Sequence, residues 1–88
     1  MRQLEAFEET LKIVSKHVYL YPLCAIGLDE TMQLPHLQSM YDRIVAAPDE
    51  FDEAKLGRWL GWAQASAVAM SAMTLEGCKA LNKKWSTD

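Results

Sequence analysis

Apolar residues in the first part of the chain recur at a spacing that an α-helix gathers on one side. Leu4, Phe7, Leu11, Val14, Val18 and Tyr21 are separated by three or four positions and line one face. Ala6, Ile13 and Leu20 form a second stripe round the same cylinder, so the pattern predicts a helix over 3–21 that touches neighbours on two sides. Glu5, Glu8, Glu9, Lys12 and Lys16 occupy the rest, with Glu5/Glu9, Glu8/Lys12 and Lys12/Lys16 as i,i+4 neighbours. Pro22 stops the helix, since it lacks an N–H and restricts the residue before it.

The next segment, PLCAIGLDETMQL, mixes Pro22, Gly27 and the polar cluster Asp29, Glu30, Thr31 with short apolar pieces. It reads as an irregular, partly buried connection, long enough to hold a short helical turn near Thr31 to Leu34 or a functional loop. Pro35 suits a first helical position, and Leu37, Met40, Tyr41, Ile44 and Val45 then give a second helix over 35–47, ended by Pro48. Asp49 and Asp52 both offer N-caps, and Asp49, Glu50, Asp52 and Glu53 place negative charge where a helix N-terminus favours it.

A third helix, predicted over 50–73, shows several apolar stripes. Leu56, Leu60, Ala63, Ala67 and Met70 make one; Trp59, Trp62, Ser66, Ala69 and Met73 make another. A helix apolar nearly all round is buried nearly all round. Such a helix spans roughly 30 Å, more than two short partners easily enclose. The small residues Gly61, Ala65, Ser66, Ala69 and Ala72, with Met73, offer a seam where a second helix approaches closely. Thr74 then reads as the N-cap of a last helix over 75–85, with Leu75, Cys78, Leu81 and Trp85 on its buried side and Lys79, Lys83 and Lys84 towards its C-terminus. The expected fold is therefore all-α: one domain over 1–88, a small bundle of about four helices with a long, mostly buried central helix, completed by homo-oligomerisation.

Composition sharpens that expectation. Half of the 88 residues are hydrophobic, with three Trp and five Met, a heavy apolar load for one small interior. A net charge of −3 gives no overall basic field, so neither DNA nor RNA is an expected partner. The longest uncharged run, Trp59 to Leu75, is interrupted by Gln64, Ser66 and Ser71 and falls short of the roughly 20 apolar residues of a membrane span, so no membrane partner is expected either. Glu5, Glu8 and Glu9 stand where a secretory signal would carry basic and then apolar residues, which makes the cytoplasm the expected compartment.

The candidate chemistry is sparse. His17, His36, Cys24 and Cys78 do not fall into the close pairs that zinc sites use, and neither Cys has a base or an electropositive setting in sequence, so no metal, cofactor or catalytic residue is expected. Arg58, Trp59 and Trp62 allow two readings. The indoles pack in the core while Arg58 lies along one of them or pairs with Asp52 or Glu53; or an Arg beside two indoles makes a pocket for a planar anion such as a nucleotide, with Gln64 adding a hydrogen-bonding edge. The acidic group Asp49, Glu50, Asp52 and Glu53 likewise reads as a solvated helix start or as a docking face that imitates phosphate.

Lys55, Arg58, Trp59, Leu60, Gly61, Trp62 and Gln64, followed by Thr74, Leu75, Glu76, Lys79 and Asn82, resemble a module of small uncharacterised proteins of tailed bacteriophages and prophages. The shared pattern is K-x-x-R-W-L-G-aromatic-x-Q and then T-[LI]-[DE]-E-x-[KR]-x-x-N, over about a third of the chain. This sequence departs from it with Ala65 in place of a Gly and Gly77 in place of a second acid. The resemblance implies phage origin and an accessory role in the host bacterial cytoplasm, and no reaction. The leading expectation is a non-enzymatic protein that binds and inhibits a host factor, in host takeover or anti-defence. The alternatives are an oligomeric sponge that sequesters a cyclic nucleotide signal, and a structural or assembly protein.

Overall fold

The computed structural model describes residues 2–86. Four helices follow one another: α1 (Gln3–Leu20), α2 (Leu34–Ala46), α3 (Glu53–Ala69) and α4 (Leu75–Lys84), with 3₁₀ turns at Glu30–Met32 and Pro48–Glu50. No strand occurs among the described residues. Helix α1 packs chiefly against α3 and then against α2. Phe7, Val14, Leu37 and Met70 are fully enclosed, joined by Leu11, Ile44, Leu60, Ala63, Ala67 and Leu81. Burial of a large apolar side chain contributes about 1.5–3 kcal/mol, so these inward stripes hold the helices together. Two hydroxyls sit in this interior without cost to the core, because Thr10 Oγ1 donates to the Ala6 carbonyl at 2.8 Å and Ser66 Oγ to the Trp62 carbonyl at 2.8 Å.

The expected 50–73 helix is shorter at both ends. Pro48–Glu50 closes a separate 3₁₀ turn and Phe51 is extended, so the helix starts only at Asp52, whose carboxylate accepts the Lys55 N–H at 2.7 Å. At the other end Ser71 takes a left-handed conformation (φ 65°). Its N–H donates to the Val68 carbonyl at 3.0 Å, and the Ala72 N–H donates to the Ala67 carbonyl at 2.8 Å, a Schellman closure that ends the helix. The 17 residues that remain span about 25 Å.

Early termination changes which faces are covered. Ala72 and Met73 lie beyond the helix, half-buried against the core in the turn to α4, and Ser66 points inward, so none of the three belongs to an outward seam. Gly61, Ala65 and Ala69 do share an exposed strip with Val68, and α3 is enclosed on one side only. Leu20, Tyr21 and Leu75, expected on buried stripes, are exposed. Helix α4, with 10 residues against 18 in α1, covers only part of that helix's second side: Ala6 is buried, Ile13 half-buried and Leu20 open.

Helix α4 is tied down by polar contacts as much as by Cys78 and Leu81. Thr74 Oγ1 accepts the Gly77 N–H at 2.9 Å, and the amides of Gln64 and Asn82 donate to each other at 2.8 and 3.0 Å. Glu9 Oε1 receives both Lys84 Nζ at 2.7 Å and Trp85 Nε1 at 3.2 Å, and the Arg2 N–H donates to the Trp85 carbonyl at 2.8 Å. Among the described residues no helix is long and apolar enough to cross a membrane.

Candidate functional site: a cationic cleft and an apolar knuckle

Helix α2 places His36, Ser39, Met40 and Arg43 on one face by their i, i+3, i+4, i+7 spacing, and α3 places Arg58, Trp59 and Trp62 opposite them. Together the seven side chains line a cleft of about 300 Å³. Trp59 forms a fixed wall. Phe51 meets its ring edge-on with centroids 4.7 Å apart, the Arg43 guanidinium lies 5.3 Å from its centroid, and Lys55 Nζ sits 5.6 Å from it. Trp62 is held differently: its Nε1 donates to the Thr31 carbonyl at 2.8 Å, which fixes the indole while 39% of the residue stays exposed. No aromatic ring or cation stacks on Trp62 among the described residues.

The structure thus brings Arg58, Trp59 and Trp62 together: Trp59 packs half-buried against the core, as the core reading has it, while Trp62 stays 39% exposed and Arg58 does not take the place that reading gives it. Arg43 and Lys55, not Arg58, lie over Trp59, and Arg58 is exposed without pairing to Asp52 or Glu53. Neither Arg43 nor Arg58 forms an ion pair among the described residues. Gln64, expected at the edge of this pocket, is buried on the far side of α3 in its amide pair with Asn82. The acidic group divides as well. Asp52 is consumed as the α3 cap, the Glu53 carbonyl accepts Gln3 Nε2 at 3.0 Å, and the side chains of Asp49, Glu50 and Glu53 are exposed. His36, Ser39 and Arg43 were missed by sequence reasoning; their common face on α2 was legible, but that it meets Arg58 was not.

A second feature lies at the end of α1, where residues 18–28 carry no charged side chain. Tyr19, Leu23 and Ile26 are 84%, 72% and 76% exposed, and Leu20 and Tyr21 are more than half open. The backbone beneath them is ordered by consecutive turns: Cys24 N–H to the Tyr21 carbonyl, Ile26 N–H to Leu23, and Leu28 N–H to Ala25, all at 3.0–3.1 Å. Gly27 makes the bend at φ 84°, and Gln33 Nε2 closes it by donating to the carbonyls of Ala25 at 2.7 Å and Leu28 at 3.1 Å. At its exit Asp29 accepts Thr31 Oγ1 at 2.6 Å and the Thr31 N–H at 2.9 Å, bonds that hold its carboxyl below the usual range. The result is a knuckle of apolar side chains on a hydrogen-bonded frame. Its sequence signal was the uncharged run, which also suits a buried connection.

The remaining reactive groups are committed elsewhere. His17 Nε2 lies 3.0 Å from the Met70 carbonyl, Cys78 is buried with its thiol pushed up by that burial, and no group of three or more potential metal ligands gathers among the described residues. Compared with known proteins, the chain matches no family, no curated protein and no solved structure.

Proposed function

We propose that this chain is a non-enzymatic accessory protein of bacteriophage type that binds a host protein and blocks it, with the Tyr19–Ile26 knuckle as the contact. The observation that carries the reading is the exposure of five large apolar residues, Tyr19, Leu20, Tyr21, Leu23 and Ile26, on a backbone whose hydrogen bonds are made internally. Exposed apolar clusters of this kind on small proteins mark interaction surfaces. Tyrosines are enriched at the centres of interfaces, and a rigid frame reduces the ordering cost of binding. The phage-like module in α3 and α4 supplies the biological setting. Self-association through the exposed strip of Gly61, Ala65 and Ala69 is a companion proposal, supported by the small side chains there.

Affinity purification of the tagged protein from bacterial lysate, read by mass spectrometry, tests the function. One stoichiometric host protein is expected with the native chain and is lost with Leu23→Ser/Ile26→Ser, whose exposed positions leave the core intact. Recovery of no partner, or undiminished capture by the double variant, would defeat the proposal.

A further inference from the structure

We infer that the cleft between α2 and α3 binds a nucleoside phosphate, with the base stacked on Trp62 and the phosphate held by Arg43 and Arg58. The site is separate from the knuckle, so either reading stands if the other fails.

Three features of the cleft converge on this ligand. The first is positive charge from both walls: Arg43 and Arg58 reach the same opening from different helices, and neither is neutralised by an ion pair among the described residues. A guanidinium carries its donors in a planar fork that matches phosphate oxygens, and Arg43 is already oriented by its position over the Trp59 ring. Ser39 and His36 add polar groups on the same wall; Ser39 Oγ donates to the His36 carbonyl at 2.7 Å, which leaves its oxygen free to accept from a ligand hydroxyl.

The second feature is an aromatic face prepared for stacking. The Thr31 carbonyl fixes the Trp62 ring through its N–H, 39% of the residue is exposed, and no aromatic ring or cation among the described residues lies over it. A base stacks on such a ring whatever its identity, because every base has a π-face. The third is size: a cleft of about 300 Å³ stands at the lower limit of small-molecule sites.

Charge elsewhere selects a small anion over a polymer. The chain carries −3 overall, and the exposed Asp49, Glu50 and Glu53 lie close in sequence to Arg58, so an extended phosphate backbone finds repulsion instead of a basic track. The ligand class is therefore a free nucleotide.

Isothermal titration calorimetry with adenosine and guanosine monophosphates, cyclic AMP, adenosine, inorganic phosphate and an acidic hexapeptide tests the inference. At least one nucleotide is expected to bind below about 1 mM, and adenosine and phosphate about tenfold or more weakly than it. Arg58→Gln alters an exposed side chain and leaves the helices intact by circular dichroism; loss of its charged contact is expected to weaken nucleotide binding roughly 10- to 100-fold. Trp62→Leu is expected to weaken the nucleotide and leave inorganic phosphate unchanged. No nucleotide binding, equal binding of phosphate or of the peptide, or undiminished affinity in Arg58→Gln overturns the assignment.

Discussion

Two glycines one helical turn apart in α3 provide a test of how α1 and α3 meet. Gly57 and Gly61 both lie inside the helix, where replacement of Gly by Ala stabilises by about 0.8–1 kcal/mol through backbone propensity. Their surroundings differ. A Cβ at Gly61 meets nothing within 4 Å, so Gly61→Ala keeps the full gain. A Cβ at Gly57 falls 2.8 Å from Gln3 Oε1, the side chain whose Nε2 donates to the Glu53 carbonyl at 3.0 Å. Gln3 is buried, so displacing its amide loses a bond of about 0.5–1.5 kcal/mol and threatens the larger cost, about 1–3 kcal/mol, of an unsatisfied buried group. Gly57→Ala is therefore expected to range from neutral to about 1 kcal/mol destabilising, a gap of about 1–2 kcal/mol between the two variants. Urea unfolding at equal protein concentration reads that gap as a difference in midpoint at constant slope, and melting temperature moves about 4–8 °C per kcal/mol for a domain of this size. Equal stabilisation by both variants would refute the close approach of Gln3 to α3. A destabilised Gly61→Ala with a concentration-dependent melting point would show that another helix covers the outer strip.

Two further outcomes follow from the helix ends and the α1–α4 contact. Ser71→Gly relieves the left-handed strain of about 1–2 kcal/mol and loses about 0.4–1 kcal/mol to unfolded-state entropy, so a net gain of about 0.5–1 kcal/mol is expected in urea, and a loss would contradict the Schellman closure. The Lys84 ammonium holds the Glu9 carboxyl below its ordinary value; burial opposes it in part, and the Trp85 N–H adds a smaller lowering. A carboxyl lowered on folding stabilises the protein above its unfolded value, and that contribution is lost as pH falls through the folded value. Stability is thus expected to decline through the acid range below 4.5, and Glu9→Gln to flatten that part of the profile; an unchanged acid limb would show that the Lys84 contact is not maintained in solution.

Much of the helical layout was legible because its signals are local. The 3,4 spacing from Leu4 to Val18, the Asp52 and Thr74 caps and the stops at Pro22 and Pro48 act over a few residues, through backbone hydrogen bonds and the reach of one side chain. The end of α3 was misread since nothing in the apolar run from Ala67 to Met73 marks a stop; Ser71 adopts a conformation usually left to glycine, held there by the Ala67 and Val68 carbonyls. With that end moved, Ala72 and Met73 left the outward strip, whereas Ser66 left it because its place on the helix turns it to the core.

By itself the amino-acid order determined that this is an all-helical chain, that Thr74 caps its last helix, and that Arg58, Trp59 and Trp62 stand on neighbouring positions of one of the others. Only the tertiary structure decided that Arg43 and His36 face them across a cleft, that Gln64 turns away to Asn82, and that Tyr19, Leu23 and Ile26 remain in water. Periodicity states which side chains share a helix face, whereas the partner of each face depends on how the helices cross, and that is set by packing among residues far apart in the chain.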